Sequence, residues 1–110
     1  LVELYLNSDV FVLSSLWEGL PLSVLEAWTF KLPVIVTNVG GIPYLCIHFK
    51  NAIIVEPANS EKLAEAMRIL IKDLRHRRKL GVVGYRKALR YTWDTVSRRY
   101  LGVYREFVGV

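Results

Sequence analysis

Pro33-Val34-Ile35-Val36-Thr37-Asn38-Val39-Gly40-Gly41-Ile42-Pro43 passes from a run of apolar β-formers straight into a turn of Asn, Gly and Pro. A Val-Ile-Val core without polar alternation predicts a short strand buried on both faces, as in a parallel sheet. The glycines and Pro43 predict a turn-rich loop at the strand's carboxyl end. The same stretch lies within the longest uncharged segment, Leu32 to Phe49. Pro33, Asn38, Gly40, Gly41 and Pro43 interrupt any spanning helix there, so no transmembrane segment is expected.

Working outward, Val10 to Leu13 is a second apolar run and predicts another strand buried on both faces. Before it, Leu1, Leu4 and Tyr5 sit at helical spacing, as in the tail of a helix over Leu1 to Asn7. After it, Trp17 to Leu20 reads as a loop, with Pro21 at the first position of a helix covering Leu22 to about Phe30. That helix must stop before Leu32-Pro33, because the residue before proline avoids helical dihedrals. Downstream, Ala52 to Val55 predicts a third strand. Ser60 is placed to cap a helix whose stripe is Leu63, Ala66, Met67, Leu70, Ile71 and Leu74. Leu80, Val83, Ala88 and Leu89 predict another helix, weakened by Gly81 and Gly84, and Thr92 caps the last one. Strand, helix, strand, loop, strand, helix is the order of an α/β Rossmann-like parallel sheet flanked by helices. Three strands are few, and further strands are expected upstream of Leu1.

The chain of 110 residues, 53% hydrophobic and 23% charged, fits a single domain over residues 1–110. It begins with Leu and has one methionine, Met67, which predicts a piece of a longer or processed chain. Cys46 is the only cysteine, so neither a disulfide nor a cysteine-built zinc site is expected, and a reducing, cytoplasmic setting is. Between Arg68 and Arg105, twelve basic side chains are opposed only by Asp73 and Asp94, a net +10 within a chain of net +5. Such a cluster suits an anionic partner or a solvated helical face.

In an open parallel sheet, ligands bind outside the carboxyl ends of the strands. Two loops fall there: Ser14 to Leu20 and Asn38 to Tyr44. The first feeds a helix amino terminus, whose N–H groups at Leu20, Leu22 and Ser23 have no intrahelical partner and suit an anion or polar oxygens. Gly19 allows close backbone approach. Glu18 and Glu26 place carboxylates before and within that helix, acceptors suited to the paired hydroxyls of a sugar or ribose. Against this, Glu18 is also an ordinary solvated loop residue and Glu26 an ordinary acid near a helix amino terminus. Glycoside hydrolysis fits less well, since both acids lie on one loop and helix.

The ordered string Ser14-Ser15-Leu16-Trp17-Glu18-Gly19-Leu20-Pro21-Leu22-Ser23-Val24-Leu25-Glu26-Ala27-Trp28, followed by Leu32 to Pro43, resembles glycosyltransferase family 4. Its E-x7-E element matches Glu18 through Glu26. The resemblance implies a GT-B enzyme that transfers sugar from a nucleotide-activated donor with retention, with no metal required. It implies the distal part of the carboxyl-terminal, donor-binding domain. Glu18 would lie beside the donor sugar and diphosphate as the catalytic-site carboxylate. The backbone of Gly19, Leu20, Leu22 and Ser23 would contact donor oxygens, and Glu26 would bind the ribose hydroxyls. The partners implied are a nucleotide-sugar such as a UDP- or GDP-sugar and a carbohydrate or lipid-linked acceptor. No nucleic acid is expected.

The chain departs from the family pattern where glycine commonly stands at Lys31, where glutamate commonly stands at Tyr44, and in the turn His48-Phe49-Lys50-Asn51-Ala52, which lacks both usual glycines. These departures call the geometry of the second loop into question and leave the E-x7-E loop untouched. The family's basic pair that grips the diphosphate is expected upstream, and its acceptor site on a separate amino-terminal domain. The competing expectations are a GT-B-type nucleotide-sugar epimerase or phosphorylase, and a non-catalytic remnant acting as an interaction or oligomerisation module. A homodimer or the missing amino-terminal part would complete the sheet. The basic helices would hold the protein peripherally on an anionic membrane surface.

Overall fold

The computed structural model describes residues 1–109. A short helix α1 (Val2–Leu6) leads into strand β1 (Phe11–Leu13), helix α2 (Leu22–Thr29), strand β2 (Val34–Thr37) and a one-turn helix α3 (Ile42–Leu45). Strand β3 (Ile53–Val55) follows, then helices α4 (Ser60–Lys72) and α5 (Leu74–Ala88). A 3-10 turn at Leu89–Tyr91 leads to the last helix, α6 (Trp93–Val108). The three strands form one parallel sheet in the order β1-β2-β3. Phe11 pairs with Val34 and Leu13 with Val36; Ile35 pairs with Ile53 and Thr37 with Val55. The expected α/β architecture is the observed one.

β2 is central, and its side chains alternate between two cores because successive residues of a strand point to opposite faces. Val34 and Val36 join Val24, Ala27 and Trp28 of α2 on one face. Ile35 joins Ile53, Val55, Ala66, Leu70 and Leu80 on the other. α5 serves both layers, giving Leu80 to one and Ala88 to the other. Cys46 is buried, and burial pushes its thiol up to about 12, against the opposing pull of Lys87. It is a packing residue, since the reactive form is the thiolate.

Several sequence expectations shift in detail. β1 is the sheet's edge among the described residues, so Phe11, Val12 and Leu13 are each half-buried rather than buried on both faces. Pro21 is the residue flanking α2 and not its first helical one: its ψ of 106° is extended, and the helix starts at Leu22. The helix closes at Thr29, and Lys31 then reverses the chain at φ +57°, a conformation that favours glycine. Asn59, not Ser60, caps α4 by accepting from the Lys62 N–H at 3.0 Å. Leu74 opens α5 instead of ending α4, because Asp73 caps α5 through the His76 N–H.

Gly81 and Gly84 do not weaken α5; they let it pack. A Cβ on Gly81 would lie 2.1 Å from the Lys31 carbonyl oxygen, and one on Gly84 would lie 2.2 Å from the Trp28 indole. α5 therefore lies against α2 and the turn after it with no side chain between. α6 is different: none of its sixteen residues is buried. Its projection contributes to a radius of gyration of 15.7 Å, above the roughly 13 Å of a compact domain this size.

Candidate functional site

The site is built where β1 and β2 end. Residues 14–20 follow β1 and residues 38–41 follow β2, and hydrogen bonds tie the two loops together. The buried Thr37 hydroxyl, at the last position of β2, donates to the Ser15 carbonyl at 2.5 Å. The Gly41 N–H donates to the Gly19 carbonyl at 2.9 Å. Gly40 holds φ +53°, and a Cβ there would sit 1.6 Å from the Glu18 carbonyl oxygen; on Gly41 it would sit 2.5 Å from that of Gly19. Backbone lies on backbone at this junction, and only glycine fits at position 40.

The junction presents the residues singled out from sequence. Glu18 is half-buried, and one carboxylate oxygen accepts from the Ser15 hydroxyl at 2.7 Å. Nothing lies within 4 Å of the space a Cβ on Gly19 would occupy, so the backbone there is open to an incoming group. α2 begins immediately afterwards with no side-chain cap. The N–H groups of its first turn are the free donors that a helix amino terminus offers an anion. Pro21 adds no donor, and its carbonyl accepts from Val24 at 3.2 Å. Glu26 stands on the exposed side of α2, one oxygen accepting from the Tyr5 hydroxyl at 3.0 Å.

Leu20, Leu22 and Glu26 share an apolar groove of about 490 Å³ with Tyr91, Trp93 and Val96. Glu18, Gly19 and Ser23 are not among its lining residues. A second crevice, of about 390 Å³, opens at the carboxyl ends of all three strands and is lined by Ser14, Thr37, Glu56 and Ser60 among others. Ser14, which opens the first candidate loop, and Glu56 are each the first residue beyond a strand, the position that faces such a crevice. Tyr5 was unmarked as a site residue, since helical spacing alone made it a helix residue.

The turn lacking both glycines keeps an ordered geometry. Phe49 itself adopts φ +58°. Buried Asn51 accepts from the Ile47 N–H at 2.8 Å and donates to the Leu45 carbonyl at 3.3 Å. His48 Nδ1 accepts from the Ile54 N–H at 2.9 Å, and the Phe49 ring stacks on His76 at 5.3 Å. The loop expected over Asn38 to Pro43 includes the start of α3, with Pro43 in its first turn, where proline needs no donor. Among the described residues, no group of three or more His, Cys, Asp or Glu side chains is placed to hold a metal ion. Among them too, no helix is long and apolar enough to cross a membrane.

Residues 1–87 match the family Glycosyl transferases group 1. The chain is 32% identical over 104 residues to the N,N'-diacetylbacillosaminyl-diphospho-undecaprenol alpha-1,3-N-acetylgalactosaminyltransferase of Campylobacter jejuni, an alignment covering 94% of this chain and 28% of that protein. Over 34 residues, 31% of this chain and 9% of the relative, it is 65% identical to the UDP-Gal:alpha-D-GlcNAc-diphosphoundecaprenol alpha-1,3-galactosyltransferase of Escherichia coli. Sucrose-phosphate synthase from Thermosynechococcus elongatus superposes with a TM-score of 0.90 at 26% identity, over 96% of this chain and 27% of that one. The chain thus spans under a third of the length of each of these proteins.

Proposed function

The chain belongs to the glycosyl transferases group 1 family, and from that premise we propose that it is the distal part of the carboxyl-terminal, donor-binding domain of a retaining family 4 enzyme. Its structural neighbours are GT-B glycosyltransferases. The observation that carries the proposal is the junction at the sheet's carboxyl end. Gly40 and Gly41 press the second loop onto the backbone of Glu18 and Gly19, beside the uncapped start of α2.

In this reading the donor diphosphate approaches the open backbone at Gly19 and the N–H groups of Leu20, Leu22 and Ser23, where the helix dipole favours negative charge. Glu18, its carboxylate oriented by Ser15, faces the donor sugar. Glu26 accepts hydrogen bonds from the nucleotide ribose. Catalysis comes from positioning two substrates and stabilising the departing diphosphate. Residues 1–110 supply neither the upstream basic pair nor an opposing domain, so alone they transfer no sugar. The names of the Campylobacter and Escherichia relatives support a lipid-diphosphate acceptor, and that of the Escherichia relative a UDP-sugar donor. α6 would face the membrane that carries such an acceptor: Trp93, Tyr100, Tyr104 and Phe107 are exposed on it beside Arg98, Arg99 and Arg105. The Campylobacter and Escherichia relatives are named as transferases, which does not favour the epimerase or remnant readings.

The full-length enzyme, supplied with UDP- and GDP-sugars and a lipid-diphosphate acceptor, should form a product whose anomeric configuration is that of the donor. An inverted product, read by NMR coupling at the anomeric proton, would contradict the retaining assignment. Undiminished turnover by Glu18→Ala would remove Glu18 from the site.

A further inference from the structure

We infer that Tyr5 is a positioning residue for Glu26, holding one carboxylate oxygen so that the other is presented to the nucleotide ribose; the inference rests on the role proposed above for Glu26. Tyr5 lies on α1 and Glu26 on α2, twenty-one residues apart, yet the phenol donates to Glu26 Oε2 at 3.0 Å. Among the described residues the carboxylate takes no other side-chain hydrogen bond. The phenol is itself fixed. Its ring stacks on Phe30, just beyond α2, at 5.0 Å and 12°, and tilts against Phe11 of β1 at 6.1 Å. Tyr5 is half-buried, whereas Val2, Glu3, Leu4 and Leu6 of the same helix are exposed.

Glu26 is exposed and has three side-chain torsions to fix before both hydroxyls of a ribose can be met. A carboxylate has about four lone-pair sites; one bond from Tyr5 uses one of them and fixes the group's direction. Ordering that occurs before the ligand arrives need not be supplied by the ligand. Burial, followed by the hydrogen bond and the charge of Glu26, raises the phenol's pKa, so the hydroxyl remains a donor throughout the neutral range. Tyr5 also anchors α1, so a role in orientation has to be separated from one in packing. Tyr5→Phe does this, because it keeps the ring and removes only the hydroxyl.

The test uses the full-length enzyme and calorimetry with UDP and GDP and their 2′,3′-dideoxy counterparts. The quantity read is the preference for the ribose diol in wild type, Tyr5→Phe and Glu26→Gln. The wild type should prefer the diol, and Glu26→Gln should lose most of that preference. Tyr5→Phe should reduce it about fivefold, the scale of one hydrogen bond of about 1 kcal/mol, while leaving dideoxynucleotide affinity unchanged. If Tyr5→Phe keeps the full preference while Glu26→Gln loses it, Tyr5 has no positioning role and Glu26 keeps its own. Equal weakening of diol and dideoxy ligands in Tyr5→Phe would mark a packing residue and overturn the inference. A wild type with no diol preference, or with no binding to either nucleotide, overturns both the inference and the role of Glu26.

Discussion

The loop junction at Gly40 and the helix α6 are opposite kinds of surface. At the junction, backbone touches backbone, and the space for one extra carbon is 1.6 Å from the nearest oxygen. Along α6, sixteen residues of helix carry an apolar and aromatic arc with none of the described residues against most of it: Phe107 is 83% and Trp93 88% exposed. The junction is complete within these residues and intolerant of change. α6 is a face whose contribution depends on what meets it. Substitutions should therefore cost much at the first and little at the second when folding is measured, and the order could reverse when association is measured.

The largest effect is expected at Gly40. Gly40→Ala combines a positive φ with a backbone clash, and together these should cost about 3 kcal/mol. Thermal unfolding of the full-length protein should show a fall in Tm, with nucleotide binding lost alongside. A variant with wild-type Tm would mean that the loops do not lie on each other. Next comes Gly84→Ala, which drives a methyl into the Trp28 indole. Overpacking of this kind costs about 1–3 kcal/mol; denaturant titration should show a lower midpoint.

Smaller still is Lys31→Gly, expected to stabilise by about 0.5–1 kcal/mol through relief of the left-handed conformation. Part of that gain is offset by loss of the Lys31 ammonium over the Tyr85 ring at 4.9 Å. A destabilised variant would show that this contact outweighs the backbone strain. Phe107→Ala should change folding stability by under about 0.5 kcal/mol, as exposed substitutions do. It should nonetheless reduce sedimentation of the full-length enzyme with anionic vesicles, and that binding should fall with salt. Sedimentation with neutral vesicles equal to that with anionic ones would return the basic helices to a solvated face.

The order of the three strands and the main helices, the parallel sheet, and the loop and helix carrying Glu18 and Glu26 were legible, because apolar runs and Gly/Pro punctuation report local geometry directly. Contacts between distant segments were not. Gly81 and Gly84 read as weak points in a helix, since nothing in their neighbourhood reveals that Lys31 and Trp28 press against them. Lys31 shows the same limit from the other side: the family's usual glycine marked the position, but only the backbone shows that a lysine accepts φ +57° there. Asn59 and Ser60 are both good caps, and choosing between them requires knowing which side chain reaches the Lys62 N–H. Tyr5 is the clearest case. Its partner is twenty-one residues away, and neither residue's own spacing points to the other.

In the proposed reading the E-x7-E segment binds a nucleotide-sugar, with Glu26 on the ribose. Calorimetry of the full-length enzyme and its Glu26→Gln variant with UDP- and GDP-sugars tests it most directly. Loss of a charged hydrogen bond should weaken binding of the accepted donor by about 1.5–3 kcal/mol, roughly ten- to a hundredfold. Unchanged affinity for every donor the wild type accepts would remove Glu26 from the ribose site.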